Sequence, residues 1–179
     1  GPISRYEALA PQFSSRRSFS YENLTRGSQR ILWGFFKKLV ISERAAVPVN
    51  TIFGNYGLYN GFYIPVAAIL FAFQLYCDFS GCMDIVIGMA EVLGITLPDN
   101  FTSPFFSRSM TEFWRRWHIT LGTWCKDYVF YPIQKSELFY RIREKSIRRF
   151  GRKKGKKVPM YLAMFLMWFV VGFWHGGFL

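Results

Sequence analysis

Residues 160–179 (MYLAMFLMWFVVGFWHGGFL) form the longest apolar run in the chain, with no Asp, Glu, Lys or Arg inside it. Its length and composition are those of a membrane-crossing helix. Hydrocarbon offers no water to pair backbone N–H and C=O groups, so such a run commits the chain to helices or a closed barrel. It also carries His175, an ionisable side chain at a depth where such groups are expensive and usually kept for function. The chain has two histidines. The other, His118, lies in a second unusual stretch, FWRRWHITLGTW at 113–124.

Composition supports a membrane setting. Of the 179 residues 51% are hydrophobic and 20% aromatic, more rings than a soluble domain this size can cover. The net charge is +12, and residues 141–157 hold ten basic side chains against Glu144 alone. A nucleic-acid surface spreads basic residues among aromatics on one face. Here they form a block directly before an apolar run, the positive-inside arrangement, suited to anionic lipid and not to nucleic acid. Cys77, Cys82 and Cys125 include no C-x-x-C pair, and no metal-ligand cluster, G-x-G-x-x-G, P-loop, G-x-S-x-G or H-E-x-x-H occurs.

Along the chain, residues 1–30 read as an interfacial loop with short helices, and Ser20 and Thr25 offer helix-start side chains. Residues 29–47 carry an apolar stripe broken by Lys37, Lys38, Glu43 and Arg44, so a helix lying on or dipping into the membrane is expected, ended by Pro48. Residues 49–61 are rich in Gly and Asn and read as a connection. Residues 62–77 make a strong span running on through Gly81, and 82–97 a second apolar helix, with Gly81, Gly88 and Gly94 allowing close helix approach. In 107–133, Ser109-x-x-Glu112 has the form of a capping box. Trp114, Trp117, His118, Leu121, Trp124 and Cys125 then follow at the spacing of one amphipathic helix.

Five stretches together resemble the membrane-bound O-acyltransferase (MBOAT) family. They are DFSGCMDIVIG (78–88), LPDNF (97–101), EFWRRWHITL (112–121), KDYVFYP (126–132) and FWHG (173–176). The opening GPISRY is also similar to its bacterial branch, which includes alginate O-acetyltransferases and D-alanyl transferases for lipoteichoic acid. The resemblance implies an all-α, polytopic membrane protein of the plasma or inner membrane, with transmembrane helices plus interfacial or re-entrant ones. Residues 1–179 would be the central part of one longer membrane domain, cut at both ends, with a basic cytoplasmic loop at about 141–158. Cys82, where the family commonly has an aromatic, and Cys125, where Phe is common, bear on subgroup and substrate rather than class.

It further implies transfer of an acyl group, acetyl foremost, from a thioester donor towards hydroxyls of an exported or cell-envelope polysaccharide. D-alanyl transfer to teichoic acid is the alternative. The donor would be acetyl-CoA or a phosphopantetheine carrier acting as substrate, with no bound cofactor. Implied partners are membrane lipids, an acyl carrier protein and an extracytoplasmic acyltransferase. The histidine of the W-H-G motif, His175, is the presumed catalytic residue, and His118 of R-W-H the second characteristic one. A neutral imidazole at His175 would take the acceptor hydroxyl's proton as it attacks the thioester.

Among the other candidates, Arg115 and Arg116 suit either a donor phosphate or carrier-protein acid, or lipid headgroups. Trp117 and His118 fit both a donor entrance and an aromatic belt. Asn100 reads as a cavity residue or a turn residue, and Asp78 as a site group or an interhelical hydrogen-bonding one. A cysteine acyl-enzyme finds no adjacent base in the sequence. A non-catalytic channel or scaffold would explain the spans and the basic block, but not two histidines in signature motifs.

Overall fold

The computed structural model describes residues 2–176, and among these the regular structure is helical. The chain forms two compact units, Gly1–Thr120 and Leu121–Leu179.

In the first unit, α1 (Tyr6–Ser14) precedes α2 (Tyr21–Phe35), whose N-cap Ser20 accepts from the Asn23 N–H at 3.2 Å. Helix α2 passes through a π-helical segment, Phe36–Ser42, straight into α3 (Glu43–Gly54). Pro48 therefore does not end the helix, and the connection expected from residue 49 starts only after Gly54. Val49 and Ile52, buried beside Pro48, fix α3 on its partner helix and outweigh the lost N–H.

That partner is α4 (Tyr63–Val92), one continuous helix of 30 residues where the sequence suggested two. Gly81 does not break it, because Gly81 is packed against α2 and not left to solvent. At 1.5 Å per residue α4 is about 45 Å long, ample for a hydrocarbon core of about 30 Å. It ends earlier than the expected residue 97. Gly94 (φ +71°) takes the left-handed position, with Gly94 N–H bonded to Glu91 O at 2.9 Å and Ile95 N–H to Ala90 O at 2.8 Å, a Schellman motif. Gly94 is thus a helix stop, and its Cβ position faces the side chains of Arg17 and of Asn23 on α2 rather than a helix backbone.

Helix α4 and the helix over 21–54 run antiparallel, joined by two glycine pairs. A Cβ at Gly27 would stand 2.6 Å from Gly88 O, and one at Gly34 would stand 2.6 Å from Gly81 O. Both pairs recur at seven residues, so the backbones touch along one seam. Charged side chains flank it. Lys37 Nζ lies 2.5 Å from Asp84 and donates to Ser80 Oγ at 3.0 Å, Lys38 lies 2.5 Å from Asp78, Arg26 lies 3.3 Å from Glu91, and Arg30 bridges Asp84 and Asp99. Lys37 is only 8% exposed, and its ammonium is matched by a carboxylate, as a buried charge requires.

In the second unit, a π-helical turn (Lys126–Phe130) leads into α7 (Tyr131–Lys135) and α8 (Glu137–Gly155). The basic block is helical. Ser136 caps it, Glu137 pairs with Arg141 at 3.1 Å, and its Arg, Lys and Glu residues are good helix formers. Gly151 (φ +76°) breaks the helical path, and Gly155 returns against the backbone of Ile147, where a Cβ would stand 2.5 Å away. Helix α9 (Lys157–Trp174) follows, apolar and exposed over most of its surface. Among the described residues α4 and α9 are the helices long and apolar enough to cross a membrane.

Candidate functional site

The stretch around His118 is not one helix but two, α5 (Met110–Arg116) and α6 (Ile119–Cys125). The Ser109 half of the expected capping box is present, and Glu112 reaches back one residue beyond the N-cap. Ser109 Oγ accepts from Glu112 N–H at 3.1 Å, while Glu112 accepts from Arg108 N–H at 2.8 Å and pairs with Arg116 at 2.6 Å. The Arg108 N–H bond, with help from Arg116 and Arg115 against some desolvation, holds the Glu112 carboxyl below the ordinary carboxylate range.

The helix stops because Trp117 turns extended (φ −108°, ψ 126°) and His118 turns left-handed (φ +45°). A non-glycine residue in that region costs on the order of 1–3 kcal/mol and persists where its surroundings over-determine it. The surroundings are visible. Thr102 N–H bonds to Arg116 O at 3.0 Å, Phe101 bridges Trp117 in antiparallel fashion, and Ile119 N–H bonds to Asn100 O at 3.0 Å. Asn100, 1% exposed, accepts at Oδ1 from both Thr120 N–H (3.0 Å) and Thr120 Oγ–H (2.7 Å), and its amide donates to Met83 Sδ on α4 at 3.2 Å. Thr120 Oγ in turn accepts from Ile3 N–H at 3.0 Å.

Because of the left-handed turn, the His118 ring leaves the helical stripe and enters an aromatic cradle. Phe79 of α4 meets it edge-on at 4.7 Å between centroids, and Phe101 lies at 6.5 Å. Tyr76, Phe105 and Phe113 extend the cradle through Trp117, whose ring stacks on Phe113 at 5.5 Å and meets Phe101 edge-on at 5.1 Å. The unit thus brings Asn100, Trp117 and His118 together. Trp117 is committed to packing and Arg116 to Glu112, while Arg115 is exposed. Asp78 is engaged by Lys38 on the seam between helices.

His175 belongs to the second unit, where it caps α9. Its backbone N–H bonds to Val171 O at 3.1 Å, and its ring Nδ1 lies 2.7 Å from the same oxygen. A carbonyl oxygen only accepts, so Nδ1 is the donor, and the neutral ring in that tautomer has its lone pair on Nε2. Trp174 meets the ring edge-on at 5.3 Å. The side chain is exposed, so the described residues do not wall it in. Measured from Pro159, His175 lies about 24 Å along the helix, within the depth of a hydrocarbon core.

Burial raises the pKa of Cys125, which disfavours its thiolate. Sequence reasoning missed Thr120 and the joint role of Asn100 and Met83, since these contacts join residues about 20 positions apart without local signal.

Two apolar helices long enough to cross a bilayer and a charge-compensated helix seam are the features of an all-helical membrane protein. Residues 1–143 match the profile of MBOAT, the membrane-bound O-acyltransferase family, and the chain belongs to that family. It is 34% identical over 176 residues to a probable alginate O-acetylase AlgI of Pseudomonas syringae pv. tomato, covering 98% of the chain and 30% of that protein. Identity is 32% over 178 residues to a peptidoglycan O-acetyltransferase of Helicobacter pylori, covering 98% and 31%. A teichoic acid D-alanyltransferase of Bacillus subtilis is 28% identical over 189 residues, covering 98% and 42%. The chain thus spans less than half the length of these relatives.

Proposed function

We propose that the chain is the histidine-bearing part of a membrane-embedded O-acyltransferase. It moves an acyl group, acetyl foremost, from a thioester donor towards hydroxyls of an exported or cell-envelope polysaccharide. The observation that carries this reading is family membership, joined to relatives named for acetyl or D-alanyl transfer whose match takes in both histidines.

In the reaction His175 Nε2 takes the proton of the acceptor hydroxyl as its oxygen attacks the thioester carbonyl. The tetrahedral oxyanion then collapses, the C–S bond breaks, and the imidazolium returns the proton to the departing thiolate. The Nδ1–Val171 carbonyl contact supports this assignment, because it fixes the tautomer that leaves Nε2 basic. His118, held in its cradle, orients a reactant or the donor. Arg115 is positioned on the surface to meet a phosphopantetheine phosphate or a carrier-protein acid. An acyl carrier protein and an extracytoplasmic transferase are the partners in this scheme.

The topology is multi-pass in the cell membrane, with the basic helix α8 on the cytoplasmic side. Helices α4 and α9 cross, and the helix over 21–54 crosses beside α4 despite its charges, because the glycine seam keeps the two in contact and α4 carboxylates neutralise its cations.

Mass spectrometry of envelope polymers, from cells with and without the protein, tests the assignment. Loss of acetyl esters is expected. Loss of D-alanyl esters would transfer the protein to teichoic acid chemistry, and an unchanged polymer would favour a scaffold.

A further inference from the structure

The left-handed His118 sits inside a small hydrogen-bonded knot of backbone and side chains. Asn100 uses its backbone oxygen, side-chain oxygen and side-chain amide at once, towards Ile119, Thr120 and Met83 respectively. The two residues following His118 are thereby tied, Ile119 to the backbone and Thr120 to the side chain, to a residue that is 1% exposed and anchored on α4. The preceding side is tied by the Phe101–Trp117 bridge and the bond from Thr102 N–H to Arg116 O. An amide suits this place. Its oxygen receives two donors from Thr120, and its NH2 meets a thioether, which accepts hydrogen bonds weakly. Neither a carboxylate nor an aliphatic side chain satisfies both ends.

We infer that Asn100 is a positioning residue for His118: it fixes the turn that swings the imidazole out of the helical stripe and into the Phe79–Phe101 cradle. This rests on the reading that His118 takes part in acyl transfer. Thr120 is the second half of the device, since its hydroxyl donates to Asn100 while accepting from Ile3.

The test uses the membrane-bound protein with Asn100→Ala, Thr120→Val, Thr120→Ser and His118→Ala, and measures turnover and KM for the thioester donor per folded molecule. A ring misplaced by about 1 Å costs up to about 10²-fold in turnover. Asn100→Ala and Thr120→Val are expected to lower kcat towards that extent with KM little changed, and Thr120→Ser, which keeps the hydroxyl, to restore it. Wild-type kcat in Asn100→Ala and Thr120→Val, beside a loss in His118→Ala, overturns the positioning role and leaves the reading of His118 intact. Wild-type kcat in His118→Ala overturns that reading instead. If both hydrogen-bond variants fail to accumulate while Thr120→Ser accumulates normally, the knot is a folding element alone and the inference falls.

Discussion

Gly34 on α2 and Gly81 on α4 meet backbone to backbone: a Cβ added to either would stand 2.6 or 2.8 Å from the other's carbonyl oxygen. Contact this close leaves no room for a methyl group. Gly34→Ala and Gly88→Ala are expected to destabilise the first unit by about 1–3 kcal/mol, the range for overpacking a well-fitted site. Gly172→Ala on α9, with nothing within 4 Å of its Cβ position, should be neutral. Thermal unfolding in detergent checks both, and equal melting of all three variants would remove the seam from the account.

Lys37 and Asp84 form the pair most withdrawn from water on that seam. Asp84→Leu alone leaves a buried ammonium uncompensated and is expected to cost about 3–5 kcal/mol. Lys37→Met combined with Asp84→Leu should regain much of the loss, with Arg30 still held by Asp99. A double-mutant cycle read by denaturant unfolding measures the coupling. Additive losses would mean the two charges do not compensate each other.

Glu112 gives a pH dependence with a defined sign. Its folded pKa lies below the unfolded value, chiefly through the Arg108 N–H bond. The stabilisation is therefore complete above the unfolded carboxylate pKa, about 4.3, and is lost as pH falls through the lower folded value. Protection of the Arg108 amide, its exchange relative to the intrinsic rate at each pH, should fall only below about pH 4, and Glu112→Gln should flatten that response.

Much of this was legible in the chain. The apolar helices within 62–77 and 160–174 and the caps at Ser20 and Ser109 all act locally, so sequence periodicity and side-chain type disclosed them. What stayed hidden depends on a distant partner. Nothing near Pro48 announces that α3 continues, because Val49 and Ile52 packed on α4 decide it. Helical spacing carried His118 along one stripe, whereas hydrogen bonds from residues 100–102 turn it out. The seam did leave a trace, glycines seven apart at 27 and 34 and again at 81 and 88, with cations beside one pair and acids beside the other. Charge marked residues 141–157 as a basic segment next to a span but said nothing of their conformation, which a capped run of strong helix formers makes helical.

The most direct measurement is polymer acylation per folded molecule by His175→Ala in the membrane-bound protein. With Nε2 as the base, acylation should fall by about 10²–10⁴-fold while membrane abundance stays at the wild-type level. Wild-type acylation by that variant would contradict the account.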